Sequence, residues 1–184
     1  MYYLSMVNNQ VATLGGGCYW CLDAFYRLVN GITNVMSGYS GGQLEHPTAL
    51  QVYAGNTGHA EVVQFKFDPT IISFEEILKI FFVMHDPTTL NRQGNDVGEH
   101  YRSVIFYHDD TQKDIAEKLK NGFASELWKK PVVTEITQYD KFWPATPEDQ
   151  DFYAKNPIQP YCQVIIAPKI QKLRQEFAKY IKTS

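Results

Sequence analysis

Two thiols three residues apart, Cys18 and Cys21, follow three glycines in the run Gly15-Gly16-Gly17-Cys18-Tyr19-Trp20-Cys21. Residues 11–14 before it read as a short strand, and a helix opens at Cys18. A thiol in the first turn of a helix faces the positive end of the backbone dipole. Its pKa should fall, and the thiolate is the nucleophilic form. Three successive glycines are costly inside a regular element, so this turn needs either unusual backbone angles or a close approach by neighbours. Other readings of the pair exist. Both cysteines could be small apolar core residues. They could also bind zinc, completed by Cys162 and one of His46, His59, His85, His100 or His108, but the chain has no second closely spaced pair of ligands. A thioredoxin-like dithiol exchange enzyme also carries C-x-x-C after a strand.

A second chemical group is Glu61, near the start of a strand predicted over 60–67. Side chains two apart share a face, so Glu61 sides with Val63, Phe65 and Phe67, the face expected to be buried. A desolvated carboxyl there rises above its usual pKa of about 4.3 and can serve as an acid at neutral pH. A register break before Val62 would instead turn Glu61 toward water.

The elements that must carry these groups can be read from periodicity and caps. Strands are expected at 11–14, 34–39, 60–67, 101–107 and 132–137. The first helix spans 18–29 and is ended by Gly31. The second is announced by a capping box at Ser73 and Glu76, with Phe74, Ile77, Leu78, Phe81 and Phe82 at helical spacing. The third has a stripe of Ile115, Leu119, Phe123 and Leu127. A terminal helix opens at Pro168, with Ile170, Leu173, Phe177 and Ile181 inward. Residues 40–56 and 88–100 read as long loops, a frequent location of function. The first six elements run strand, helix, strand, strand, helix, strand. That order predicts a two-layer α+β domain, a ferredoxin-like (split βαβ) sandwich, with an added helix and strand and a C-terminal helix.

The 184 residues suit one domain over 1–184, with no repeat and no linker. A net charge of -3 offers no basic field for a nucleic-acid backbone. No apolar run is long enough for a membrane span, and residues 1–10 lack the features of a signal peptide. A cytoplasmic, reducing location follows as the expectation. There, three cysteines point to redox or metal chemistry rather than a structural disulfide.

Four segments then resemble peptide methionine sulfoxide reductase A: Gly17 to Cys21, Gly-Tyr-Ser-Gly-Gly at 38–42, Thr-Gly-His-Ala-Glu-Val-Val at 57–63, and Arg-Gln-Gly-Asn-Asp-Val-Gly at 92–98 followed by Tyr101-Arg102-Ser103. They occur in the family's order across about 11–162. Four motifs in one chain are far more specific than one short pattern. The resemblance implies that Cys18 attacks the sulfur of the S epimer of methionine sulfoxide, in peptides, proteins or the free amino acid. Methionine leaves, Cys18 becomes a sulfenic acid, a second cysteine condenses with it, and thioredoxin reduces the disulfide. In vitro, dithiothreitol takes thioredoxin's place. No metal or bound cofactor is implied.

By position, Glu61 would protonate the sulfoxide oxygen, while Tyr39 and Tyr101 would hydrogen-bond it as charge develops. Asp96 would orient the substrate, and Tyr19 and Trp20 would hold its methyl group. Cys162, in Asn-Pro-Ile-Gln-Pro-Tyr-Cys at 156–162, resembles the family's resolving cysteine and is expected in a loop. Cys21, where many members have glycine, is the alternative resolver. Tyr19 replaces the usual phenylalanine, His100 stands where glutamine is common, and the chain ends in a helix rather than a glycine-rich coil with a further cysteine.

Overall fold

In a computed structural model that describes residues 9–183, the chain forms β1 (Gln10–Gly15), α1 (Tyr19–Tyr26), β2 (Ile32–Ser40), α2 (Ala49–Tyr53), β3 (Ala60–Phe67), α3 (Phe74–Met84), β4 (Arg92–Gln93), β5 (Asp96–Val97), β6 (Val104–Tyr107), α4 (Asp110–Leu119), α5 (Ser125–Trp128), β7 (Glu135–Gln138), β8 (Phe142–Pro144), α6 (Phe152–Lys155) and α7 (Ala167–Glu176). The sequence reading of residues 1–8 lies outside the described residues. Six strands form one sheet in the order β7-β6-β1-β3-β2-β8, and β4 pairs with β5 in a separate hairpin. Every pairing in the large sheet is antiparallel except β6 with β7. The fold is α+β, with β1 and β3 at the centre.

The alternation in β3 explains why the sheet sits where it does. Glu61, Val63, Phe65 and Phe67 point to one face and are all buried. There Val63, Phe65 and Phe67 join Leu22, Phe25 and Tyr26 of α1 and Ile77, Leu78 and Phe81 of α3 in one core. Tyr26 donates a hydrogen bond to the Ile77 carbonyl at 3.2 Å, tying the two helices together. Ala60 and Val62 point the other way, to a small second cluster with Val104 and Phe106. β3 is thus buried on both faces over 60–63, while Lys66 near its end is exposed.

Ser73 and Glu76 cap α3 in both directions as expected, and Tyr180 adds a hydrogen bond to Glu76 Oε1 at 2.6 Å. The loop expected at 40–56 contains α2, started by a capping box of Thr48 and Gln51. The loop expected at 88–100 contains the β4–β5 hairpin and the start of a single 3₁₀ turn, Glu99–Tyr101. The third helix departs from its stripe. A π-helical turn at Lys120–Ala124 follows α4 and changes which side faces inward. Leu127 is therefore left exposed, and Trp128 turns in, donating its indole N–H to the Phe82 carbonyl at 2.8 Å.

The terminal helix buries Ile170 and Leu173 and stops at Glu176. Beyond it Ile181 bridges to Val29, Asn30 donates its N–H to the Tyr180 carbonyl, and Lys182 Nζ donates to the carbonyls of Arg27 and Ile32. The chain end thereby clasps the turn that leaves α1. Among the described residues no helix is long and apolar enough to cross a membrane.

Candidate active site

The glycine turn delivers Cys18 onto the sheet. A Cβ on Gly15 would meet the Glu61 carbonyl oxygen at 2.8 Å, and one on Gly16 would meet the rings of Phe81 and His85 at 3.0–3.1 Å. Gly17 has φ of +92°, a conformation side chains rarely adopt. The reason for three glycines is thus close approach at the first two and backbone conformation at the third. Cys18 is the N-cap residue of α1 and is 8% exposed.

The next backbone amide, that of Tyr19, donates to Glu61 Oε2 at 2.9 Å. This bond joins the start of α1 to the buried face of β3, so nucleophile and carboxyl are held by adjoining backbone. No register break frees Glu61, which is 1% exposed. Burial raises its pKa to about 8, opposed by the Tyr19 amide and by hydrogen bonding from Tyr53. At neutral pH it is a protonated acid.

The thiol pair behaves differently from the sequence expectation. Burial pushes Cys18 up, and its hydrogen bond with Cys21 and the proximity of Glu61 add to that, outweighing the Trp20 amide at the helix start. The same thiol–thiol hydrogen bond pulls Cys21 down to about 6, assisted by Lys169 and Tyr161. In the resting pair the proton is retained at Cys18, because the helix start is dry and faces a carboxyl. Both sulfurs titrate as one coupled unit.

Aromatic side chains surround this centre. Tyr19 is fully buried, and its hydroxyl lies 3.1 Å from that of Tyr39. Burial raises Tyr39 to about 12 and also pushes up Tyr101, both with a contribution from the charge of Glu61. These phenols therefore stay protonated and able to donate. Trp20 is only partly buried and stacks on Phe152 at 3.7 Å, with its indole N–H donating to Asp149 Oδ1 at 3.2 Å. Asp96, on β5, accepts from the Tyr161 hydroxyl at 2.9 Å, and Tyr161 Oη lies 3.8 Å from Cys21 Sγ.

Cys162 does not lie in a loop. It begins a π-helical turn, Cys162–Ile166, that runs directly into α7, and it is completely buried. Of the two prolines before it, Pro157 sits in a turn and Pro160 opens the helical segment that Cys162 continues. Burial raises its pKa, with a further push from Cys21. All three cysteines are free thiols. Among the described residues, no group of three or more His, Cys, Asp or Glu side chains is placed to hold a metal ion.

The fold thus brings Cys18, Cys21, Glu61, Tyr19, Tyr39 and Tyr101 together, with Trp20, Asp96 and Cys162 around them. Sequence reasoning missed Tyr53, Asp149, Phe152 and the contacts of Tyr161. Tyr53 had a signal, since Thr48 and Gln51 announce the helix that carries it. Asp149 and Phe152 had none, because nothing local shows that their segment folds back onto Trp20.

Comparison with known proteins agrees with this geometry. The peptide methionine sulfoxide reductase family matches residues 10–181. A relative named peptide methionine sulfoxide reductase MsrA from Saccharolobus solfataricus is 50% identical over 94% of this chain and 97% of its own. The reduced form of Mxr1 from Saccharomyces cerevisiae superposes with a TM-score of 0.77 at 30% identity, covering 84% of this chain and 89% of that one. Mxr1 in complex with Trx2 matches at a TM-score of 0.56 and 24% identity, covering 83% and 89%.

Proposed function

The chain belongs to the peptide methionine sulfoxide reductase family, the MsrA enzymes, and from that premise we propose how its own residues reduce methionine sulfoxide. The observation that carries the reading is the bond from the Tyr19 amide to Glu61, which seats a protonated carboxyl beside the sulfur of Cys18. Cys18 passes its proton to Cys21 and attacks the sulfoxide sulfur as its thiolate, and Glu61 gives its own proton to the oxygen. Tyr39 and Tyr101 donate to that oxygen as its charge grows. The oxygen ends on Cys18 as a sulfenic acid, and methionine leaves reduced by two electrons. Trp20, backed by Phe152, supplies an apolar wall for the methyl group, with Tyr19 behind it. Asp96 holds the substrate's polar part. The substrate is the S epimer, in peptides and proteins or as the free amino acid.

For the first disulfide the geometry supports Cys21 ahead of Cys162. Cys21 lies within one turn of Cys18, its N–H donating to the Cys18 carbonyl at 3.1 Å, and it is the more acidic of the two thiols. The buried Cys162 then attacks the Cys21 sulfur of that disulfide, releasing the Cys18 thiol, and a thioredoxin reduces the Cys21–Cys162 bond. The complex of the yeast relative with Trx2 supports that partner. No metal or bound cofactor enters the cycle, and a cytoplasmic location fits its need for a reductant. The strand order β6-β1-β3-β2, with α1 and α3 as the crossovers, supports the ferredoxin-like description of the central unit.

The deciding experiment presents the two sulfoxide epimers separately, with dithiothreitol and then with thioredoxin as reductant. Turnover of the S epimer alone is expected with either. Turnover of the R epimer at an equal rate, or disulfide exchange without any sulfoxide reduction, would sink the reading.

A further inference from the structure

Cys21 has a partner that the sulfoxide-reducing step does not use. Its Sγ lies 3.8 Å from Tyr161 Oη, and the tyrosine's single proton is donated to Asp96 Oδ2 at 2.9 Å. Tyr161 can donate to a Cys21 thiolate, but when Cys21 carries a proton and the phenol's own points to Asp96, the thiol is the donor to Tyr161. The three groups form a directed chain, thiol to phenol to carboxylate. It leads from a sulfur that is 1% exposed to the wall of an open groove of about 380 Å³. Asp96, Tyr161 and Lys169 line that groove. The chain is held in place from two sides. The Tyr161 ring meets Trp20 edge-on at 6.0 Å, and Asp96 is fixed opposite Gln93 in the β4–β5 hairpin.

We propose that Cys21, Tyr161 and Asp96 form the proton exit of the resolving step. Tyr161 touches the reacting sulfur and accepts its proton while passing its own to Asp96. The inference rests on Cys21 being the thiol that first attacks the Cys18 sulfenic acid. In that attack the Cys18 S–O bond breaks and the Cys18–Cys21 S–S bond forms. A Cys21 electron pair becomes the shared S–S bond and the S–O pair leaves with the oxygen, so Cys21 is oxidised by one formal unit and Cys18 reduced by one. The Cys21 proton reaches Asp96, which returns it to solvent. The oxygen takes a proton from solvent and departs as water, so the proton count closes.

The need for such a chain follows from the state of Cys18 at that moment. In the reduced pair, the hydrogen bond with Cys18 is the main influence favouring the Cys21 thiolate, followed by Lys169 and Tyr161. Oxidation removes the Cys18 thiol that makes this bond. Tyr161 and Lys169 are then what is left to help Cys21 release its proton.

The test uses Tyr161→Phe, which keeps the ring against Trp20 and removes only the hydroxyl. Full-length protein receives one equivalent of methionine sulfoxide without reductant. Methionine release, sulfenic acid trapped by dimedone and disulfide formation are followed at several pH values. Relative to methionine release, disulfide formation in the variant should slow by more than about ten-fold, with trapped sulfenic acid accumulating. Its rate should also climb steeply between roughly pH 7 and 9, as for an unassisted thiol of pKa ~8.5, whereas the parent profile is flatter. Asp96→Asn, whose neutral amide is a poor proton acceptor, should reproduce the altered profile. A variant that forms the disulfide at the parent rate and with the parent profile overturns the proposal. Disulfide mapping separates the underlying reading: a Cys18–Cys162 bond with Cys21 free in the parent protein removes Cys21 as first resolver, and the proposal with it.

Discussion

The two ends of the site are built by different means. Cys18 and Glu61 stand on β1, α1 and β3, next to one another in the sheet, and backbone contacts fix them. Gly15 lies under the Glu61 carbonyl, and the Tyr19 amide holds the carboxyl. The segment from β8 to Cys162 has only a three-residue strand, a four-residue helix entered through a left-handed Asp151, and a π-helical turn. Side chains hold it down. Gln150 receives a hydrogen bond from the Ser37 N–H and donates to the Ser37 carbonyl, both at 2.8 Å, while Asp149 and Tyr161 bind Trp20 and Asp96. The half proposed to reduce the sulfoxide is thus set by main chain that few substitutions can move. The regenerating half hangs on individual side-chain clamps, each removable alone.

This contrast gives four expectations of decreasing size. Cys18→Ser should abolish sulfoxide reduction with the fold retained, since a hydroxyl is a far weaker nucleophile at neutral pH. Substantial turnover by folded Cys18→Ser protein would break the scheme at its root. Glu61→Gln should lower the rate of methionine release by about 10²–10⁴. In the parent protein that step should fall as pH rises through about 8, where Glu61 loses its proton, and the variant should lack this fall. An unchanged rate and profile would reduce Glu61 to a structural group.

Gln150→Ala tests the other side of the comparison. It leaves the Ser37 N–H without its partner, while the Ser37 carbonyl keeps the Ala145 N–H at 2.9 Å, and should cost about 1–3 kcal/mol, read from denaturant unfolding. Disulfide formation should slow more than methionine release, because the loosened segment carries Tyr161 and Cys162. Equal slowing of both steps would erase the distinction between the two halves. The smallest effect is expected for Trp20→Ala, which removes an apolar wall but no reacting group. KM should rise by roughly ten-fold or less, an effect of up to about 1.4 kcal/mol, with kcat little altered. A collapse of kcat would mean that Trp20 positions Cys18 and does more than line the pocket.

The same division governs what could be read in the sequence. β3 was legible over its full length, because its alternation is strong and Asp68-Pro69 ends it. Ser73 and Glu76 mark α3 for a similarly local reason. Cys18 and Glu61 were legible because their chemistry depends on the elements they belong to. β8, α6 and the two π-helical turns were not. They are too short to show a period, and contacts made from far along the chain hold them. The pKa of Cys18 failed for a related reason. The helix start is local and visible, whereas the burial and the facing carboxyl that outweigh it are products of tertiary packing.

The distance of 140 residues between Cys21 and Tyr161 also has a meaning in time. A ribosome adding about 5–20 residues per second needs roughly 7–30 s to travel from one to the other. During that interval the N-terminal strands and α1 emerge without the aromatic cover and the hydrogen-bond partner that the last quarter of the chain provides. The clasp of Ile181 and Lys182 on the turn after α1 comes later still. For a nascent chain in an oxidising cell, the exposed C-x-x-C pair is therefore a vulnerability of synthesis. Closing it waits until Tyr161, and after it Ile181 and Lys182, have left the ribosome.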